Sequence, residues 1–252
     1  MRGVDYEREA DRYSAARGLA LDAIAPWRDA VVPWLDDAPS GPILDGGAGT
    51  GQFTAAFRAW LDRDVIALEP AASMRRTARA HAGDDPHQCW IGGRLEDLPL
   101  ARGSCAAAWL STVVHHVRDL ERCAHELRRV LVPGAPVLVR SAFPGRHGGI
   151  TLLRFFPETV RRLETFPTVE EVCTRFAAAG FAQRALHEVA QRSATSLAEF
   201  RARVVAGRRA DSLLAVLADD EFARGLARLD ATIAATPTDG PVHDRLTLLV
   251  LR

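Results

Sequence analysis

Ile43-Leu44-Asp45-Gly46-Gly47-Ala48-Gly49-Thr50-Gly51 is the stretch on which the fold turns: an apolar strand enters a glycine turn, and helical residues Phe53 to Trp60 follow it. Glycine has no Cβ, so the backbone at positions 47, 49 and 51 can approach a ligand closely, and the first turn of the helix offers N–H groups that lack an intrahelical partner. Strand, glycine turn and helix in this order place a nucleotide-like ligand at the carboxyl edge of a parallel sheet. The dinucleotide fingerprint sets its third glycine three positions after the second. Gly47, Gly49 and Gly51 run GxGxG instead, which argues against a nicotinamide dinucleotide. One βα unit later Val65 to Leu68 ends in Glu69, where a carboxylate accepts hydrogen bonds from both hydroxyls of a ribose. The plainer alternative is a tight turn with Glu69 capping a helix that starts near Ala71; loop and acid together favour the ligand.

Outward from that loop, apolar runs alternate with amphipathic stretches: Pro42 to Leu44, Thr54 to Trp60, Val65 to Leu68, Met74 to Ala80, Ala106 to Leu110, Leu120 to Val130 and Pro136 to Val139. This alternation predicts βαβ units and a doubly wound, Rossmann-like α/β sheet. Leu19 to Leu35 has helical spacing interrupted by Pro26 and Pro33, followed by a turn-rich linker from Asp36 to Pro42. Phe143 to Pro167, with Gly145, Gly148 and Gly149, reads as a cover over the sheet's mouth. Val169 to Ala179 is predicted as a helix stopped by Gly180, and Phe181 to Ala190 as a strand. Helices over Ser196 to Ala235, a turn at Pro237 to Pro241 and a strand over Val242 to Leu251 complete the chain. The expected organisation is one domain over 1–252, with a helical arm at 1–38, a cofactor-binding core at 39–142 and lid insertions at 143–167 and 195–240.

Thirty-two basic and 32 acidic residues give zero net charge, so no global field draws the chain to nucleic acid or an anionic membrane. The composition, 48% hydrophobic and 25% charged, is that of a globular protein. Every basic charge is an arginine, which we attribute to GC-rich coding. Cys89, Cys105, Cys123 and Cys173 form neither a CxxC pair nor a zinc-type cluster, so no metal is expected. Met1 to Ala16 is charged and lacks the apolar core of a signal peptide, and no apolar run approaches the ~20 residues that span a bilayer. A cytoplasmic protein with a small-molecule substrate, monomeric or homodimeric, is expected.

Five ordered motifs resemble the class I S-adenosylmethionine-dependent methyltransferases, particularly the UbiE/MenG-like branch known as the type 11 methyltransferase domain. They are Leu44 to Gly51; Ala67-Leu68-Glu69-Pro70 with Ser73-Met74; Gly93 to Pro99; Val113-Val114-His115-His116-Val117; and Leu127 to Gly134. The resemblance runs from about Tyr6 to Phe181. It implies S-adenosyl-L-methionine as cofactor and a seven-stranded sheet ending in an antiparallel hairpin with helical lid insertions. It implies that the glycine loop, through Asp45, Gly47, Ala48, Gly49 and Gly51, holds the methionine portion. Glu69 would hold the ribose, Met74, Leu95 and Glu96 would flank the adenine, and Ser111 would lie near the sulfonium, with Pro70 and His116 as further cofactor contacts and Tyr13 and Arg17 closing over the cofactor carboxylate. The chain departs from the pattern at Cys105-Ala106, where Phe-Asp is usual, and at Arg94, which replaces a common aspartate.

Methyl transfer needs a nucleophile aligned behind the sulfonium methyl; a base is needed only where the acceptor holds its proton. His115 and His116, after the fourth strand, are the candidate catalytic bases, with packing or capping as the plainer role. Arg140, Arg146, His147 and Arg154 are candidate ligands for an acidic substrate, against the alternative that they pair with Glu158, Glu164 or solvent. Phe143, Phe155, Phe156 and Phe166 either line an apolar acceptor pocket or pack the lid. A partly apolar or carboxylated intermediate of specialised metabolism is the expected acceptor. Two readings stay open beside methyl transfer: another reaction in the same pocket, such as cyclisation or decarboxylation, and a noncatalytic partner subunit.

Overall fold

The computed structural model describes residues 18–236 and 240–252. In chain order these form α1 (Ala25–Asp36), β1 (Ile43–Gly46), α2 (Gln52–Trp60), β2 (Val65–Leu68), α3 (Ala72–Ala82), β3 (Gln88–Ile91), β4 (Ala107–Ser111) and α4 (Leu120–Val130). There follow β5 (Val137–Ser141), α5 (Thr151–Phe155), α6 (Val160–Leu163), α7 (Val169–Ala177), β6 (Gln183–Ala194), α8 (Leu197–Gly207), α9 (Asp219–Ala235) and β7 (Val242–Leu251). The strands make one seven-stranded sheet in the order β3-β2-β1-β4-β5-β7-β6. β3 through β5 run parallel, and β7 lies antiparallel to both β5 and β6. Winding reverses between β1 and β4, and a doubly wound sheet opens its ligand crevice at that reversal, beyond the carboxyl ends of the strands.

Side chains alternate across a strand, so each central strand supplies both faces of the sheet. Ile43, Trp109 and Leu138 join Trp27, Val31 and Phe57 of α1 and α2 in one apolar cluster. Leu44, Leu110 and Val139 join Leu127, Val172 and Phe176 of α4 and α7 in another. Trp109, with no exposed surface, meets Phe53 at 4.8 Å and Trp27 edge-on at 5.9 Å between ring centroids. Burying such a ring removes it from water for roughly 1.5–3 kcal/mol.

α4 and β7 match the sequence expectation residue for residue. Pro26 does not interrupt α1: it sits in the first turn, where a missing N–H costs no intrahelical bond, and only Pro33 lies inside. α7 starts with a capping box in which Thr168 and Glu171 satisfy each other's backbone N–H, and Gly180, at φ +80°, turns the chain after it. β6 begins and ends later than the sequence suggested, at Gln183–Ala194, because Val242 to Leu246 of β7 supply ladder partners up to Ala194. β5 pairs with β7 only over Thr247 to Leu251, so the hairpin projects about five residues, roughly 16 Å, past the end of β5.

That projection, with α5, α6, α8 and α9, builds a third apolar cluster of its own, including Phe155, Phe156, Phe200, Leu214 and Phe222. Phe155 and Phe156 therefore pack the lid, whereas Phe143 belongs to the cluster beneath the sheet. Among the described residues no helix is long and apolar enough to cross a membrane.

Candidate functional site

The glycine loop leaves β1 at Gly46 and is pinned to the neighbouring strand, since the N–H groups of Gly47 and Ala48 both donate to the Leu68 carbonyl, at 2.8 and 3.0 Å. Gly47, Gly49 and Gly51 have φ of +76°, +58° and +88°, a region that L side chains rarely enter. At Gly47 a Cβ would also meet Val113 Cγ2 at 2.5 Å, so this glycine serves close packing as well as the turn.

Glu69 sits at the carboxyl end of β2, 7% exposed, and spans the loop and the next helix. Its Oε2 accepts from the Gly49 N–H at 3.0 Å and its Oε1 from the Ala71 N–H at 2.9 Å. The capping and ligand-binding roles are thus compatible: backbone donors hold the carboxylate in place beside the glycine turn. Asp45 lies beneath the loop, where its Oδ2 accepts from the Thr54 hydroxyl at 2.6 Å. Burial pushes its carboxyl up to about 7; the Thr54 hydrogen bond opposes the rise and the charge of nearby Glu69 adds to it.

Above the crevice lies a cavity of about 220 Å³. Its floor is polar, with Asp45, Gly47, Ala48, Ser111, Thr112 and Arg140; its roof is largely apolar, with Phe166, Phe200, Val204, Leu213 and Leu214, and also carries Arg203, Asp211 and Ser212. Thr112, just past β4, has φ +50° and donates its N–H to the Arg140 carbonyl at 2.7 Å, so the turn off the strand is held in a strained conformation at the cavity floor.

The adjacent histidines, with rings 4.1 Å apart between centroids, have different surroundings. His115 lines the cavity, stacks on Phe166 with ring centroids 4.0 Å apart, and has Nε2 3.4 Å from the Ser212 hydroxyl. His116 is exposed and absent from the cavity wall. Arg140 is 6% exposed and lies in the floor, not on a rim: Nη1 donates to Ser111 Oγ at 3.0 Å and Nη2 to Gln191 Oε1 at 2.5 Å. Arg146, His147 and Arg154 lie outside the cavity wall. Arg146 approaches Glu188 at 3.9 Å, and Arg154 is exposed beside the Phe155 ring.

Of the residues assigned to the adenosine end, Met74 is 1% exposed and Pro70 is exposed. Leu95 is buried with its Cδ2 against Gly46, and Glu96 accepts the Arg118 N–H at 2.9 Å. Tyr13 and Arg17 lie outside the described residues. Gln191, Ser193 and Asp244, polar residues at inward positions of β6 and β7, line the cavity and were not singled out from sequence. The signal was present: inward strand positions that turn polar mark the edge of a cavity rather than core. Among the described residues no cluster of three or more His, Cys, Asp or Glu could hold a metal ion, and all four cysteines are free.

The sheet order and the glycine loop with its acid define a class I S-adenosylmethionine-dependent methyltransferase fold. Residues 44–139 match the model of a methyltransferase domain family. The chain is 35% identical over 106 residues to a malonyl-[acyl-carrier protein] O-methyltransferase of Erwinia pyrifoliae, covering 41% of this chain and 38% of that protein. It is 29% identical over 149 residues to the ubiquinone/menaquinone biosynthesis C-methyltransferase UbiE of Caulobacter vibrioides, covering 55% and 58%. The chain thus spans between about two fifths and three fifths of these relatives' length. A crystal structure of a putative methyltransferase from an antibiotic biosynthesis pathway of Anabaena variabilis superposes with a TM-score of 0.65 at 22% identity, covering 89% of this chain and 96% of that one.

Proposed function

We propose that this protein transfers a methyl group from S-adenosyl-L-methionine to a small-molecule acceptor, a partly apolar or carboxylated intermediate of specialised metabolism, held under the lid. One observation carries the reading: the glycine loop, tied to Glu69, opens directly into a cavity whose far side is closed by the lid. Asp45, Gly47, Ala48 and Thr50 are the cavity's share of the loop, and Ser111, Thr112 and His115 form the strand end facing them. Asp45, Gly49, Gly51 and Glu69 hold the cofactor in this reading, with Met74, Leu95 and Glu96 near its base. A polar floor under an apolar roof suits an acceptor that is itself amphiphilic. His115 is the candidate base, since it is the member of the pair that lines the cavity; positioning and exclusion of water supply the remaining catalysis.

Calorimetric titration with S-adenosylmethionine and with NAD, repeated on Glu69→Ala, tests the reading. Binding of the first alone, weakened roughly ten- to hundredfold in the variant, supports it, because hydrogen bonds to a charged group are lost. A folded protein that binds no S-adenosylmethionine overturns it. Release of S-adenosylhomocysteine with an acceptor panel then separates methyl transfer from other chemistry in the same cavity.

A further inference from the structure

Gln191 plays no part in the methyl-transfer reading, yet it is buried at 5% exposure in the cavity wall on the projecting part of β6. Its Oε1 accepts two hydrogen bonds, from the Trp27 indole N–H at 2.9 Å and from Arg140 Nη2 at 2.5 Å. Two donors on one atom determine which end of the amide is which, since the flipped amide would set N–H against N–H. The other end, Nε2, has no hydrogen-bond partner among the described residues and is left with two N–H donors for the cavity. Arg140 lines the same cavity, its guanidinium carbon 4.9 Å from the Trp27 ring centre and 5.3 Å from that of Phe53. The acids lining the cavity have local donors of their own: Asp244 takes the Thr151 N–H and the Ser193 hydroxyl, Asp45 the Thr54 hydroxyl, and Asp211 the Leu213 and Leu214 N–H groups.

We propose that the Gln191 amide and the Arg140 guanidinium form a carboxylate-reading subsite, in which Gln191 is a specificity-determining residue. The amide donates N–H to a carboxylate oxygen, and the cation beside it strengthens the bond in a site largely shielded from water. Trp27 and Arg140 prepay the orientation by locking the amide oxygen, so little order is lost when the ligand arrives. The subsite rests on the methyl-transfer reading for the identity of its ligand. The carboxylate belongs either to the acceptor or to the methionine portion of the donor.

Gln191→Glu separates these sources. The substitution is isosteric and keeps one oxygen for Trp27 and Arg140, but it replaces the N–H pair with an oxygen. Calorimetry would use S-adenosylhomocysteine, 5′-methylthioadenosine, which lacks the amino-acid carboxylate, and hexanoate against hexylamine with and without the nucleoside. Weakening of hexanoate by roughly ten- to hundredfold, with hexylamine strengthened, assigns the subsite to the acceptor. Equal weakening of S-adenosylhomocysteine, with 5′-methylthioadenosine unchanged, assigns it to the donor. If the variant binds both carboxylates as the wild type does, or the wild type binds neither, the proposal is wrong. Failure of both nucleosides to bind the wild type sinks the methyl-transfer reading instead, because hexanoate without nucleoside still reads the subsite. Should the variant not fold, nitrogen-15 spectra of the wild type decide: hexanoate or S-adenosylhomocysteine must move the Gln191 side-chain amide signal, and stationary signals with both overturn the proposal.

Discussion

His115 and Phe166 stack face to face, ring centroids 4.0 Å apart and planes within 7°, and so join the end of the fourth parallel strand to the lid. With Ser212 3.4 Å from His115 Nε2, one imidazole touches both lid insertions. His115→Phe keeps a ring for the stack and removes the nitrogens. It is expected to leave the melting temperature within a few degrees while lowering kcat by about 10²-fold or more, the usual contribution of a positioned base. Unchanged kcat across the pH range would reduce His115 to packing. Phe166→Ala, by contrast, is expected to lower stability by about 3 kcal/mol, read from denaturant unfolding.

Asp45 makes stability depend on pH in the direction opposite to most acids. Its folded carboxyl is raised from 3.8 to about 7 by burial, so between those values the native state holds a proton that the unfolded chain has released. The contribution is fully present below about pH 4 and is lost as pH rises to about 7, beyond which it is flat. Asp45→Asn keeps an oxygen for the Thr54 hydroxyl and carries no titrating group. Thermal melts from pH 4 to 8 should show that the variant lacks this particular decline; identical pH profiles would refute the assignment.

Gly47→Ala meets two penalties at once, the Val113 methyl 2.5 Å from the new Cβ and a φ of +76°. The double variant Gly47→Ala/Val113→Ala removes the first and keeps the second, which costs about 1–2 kcal/mol. Unfolding curves should therefore show partial recovery, and cofactor titration should show weakened binding in both variants. Full recovery of stability would mean that the left-handed backbone is not required.

Gly225→Ala probes the lid without touching the loop. The added Cβ would lie 2.1 Å from Phe156 Cδ1, in a helix whose φ is ordinary, so the damage is overpacking alone, about 1–3 kcal/mol. Phe156→Leu should restore much of it, as denaturant midpoints would record. Binding of S-adenosylmethionine should be little changed, since neither residue lines the cavity.

The sequence by itself determined the parts whose cause is local. The glycine turn, the acid one βα unit later, the helix stop at Gly180 and the alternation of β7 depend on neighbours along the chain, and they can be read there. So can the seven-stranded sheet with its terminal antiparallel hairpin, through a resemblance whose motifs follow one another in order, whereas the order of the strands came from the structure. Only the tertiary structure decided which of His115 and His116 lines the cavity: their rings lie 4.1 Å apart, but His115 meets Phe166 and Ser212 while His116 stays at the surface. Only it placed Arg140 in the floor and left Arg146, His147 and Arg154 outside, since burial of an arginine depends on partners such as Gln191, 51 residues away in the chain. The cavity itself is assembled from a strand end, a hairpin and two lid segments that are distant in sequence. A strand position reads as polar or apolar in isolation; whether a polar one faces solvent or a buried pocket is set by what packs across from it.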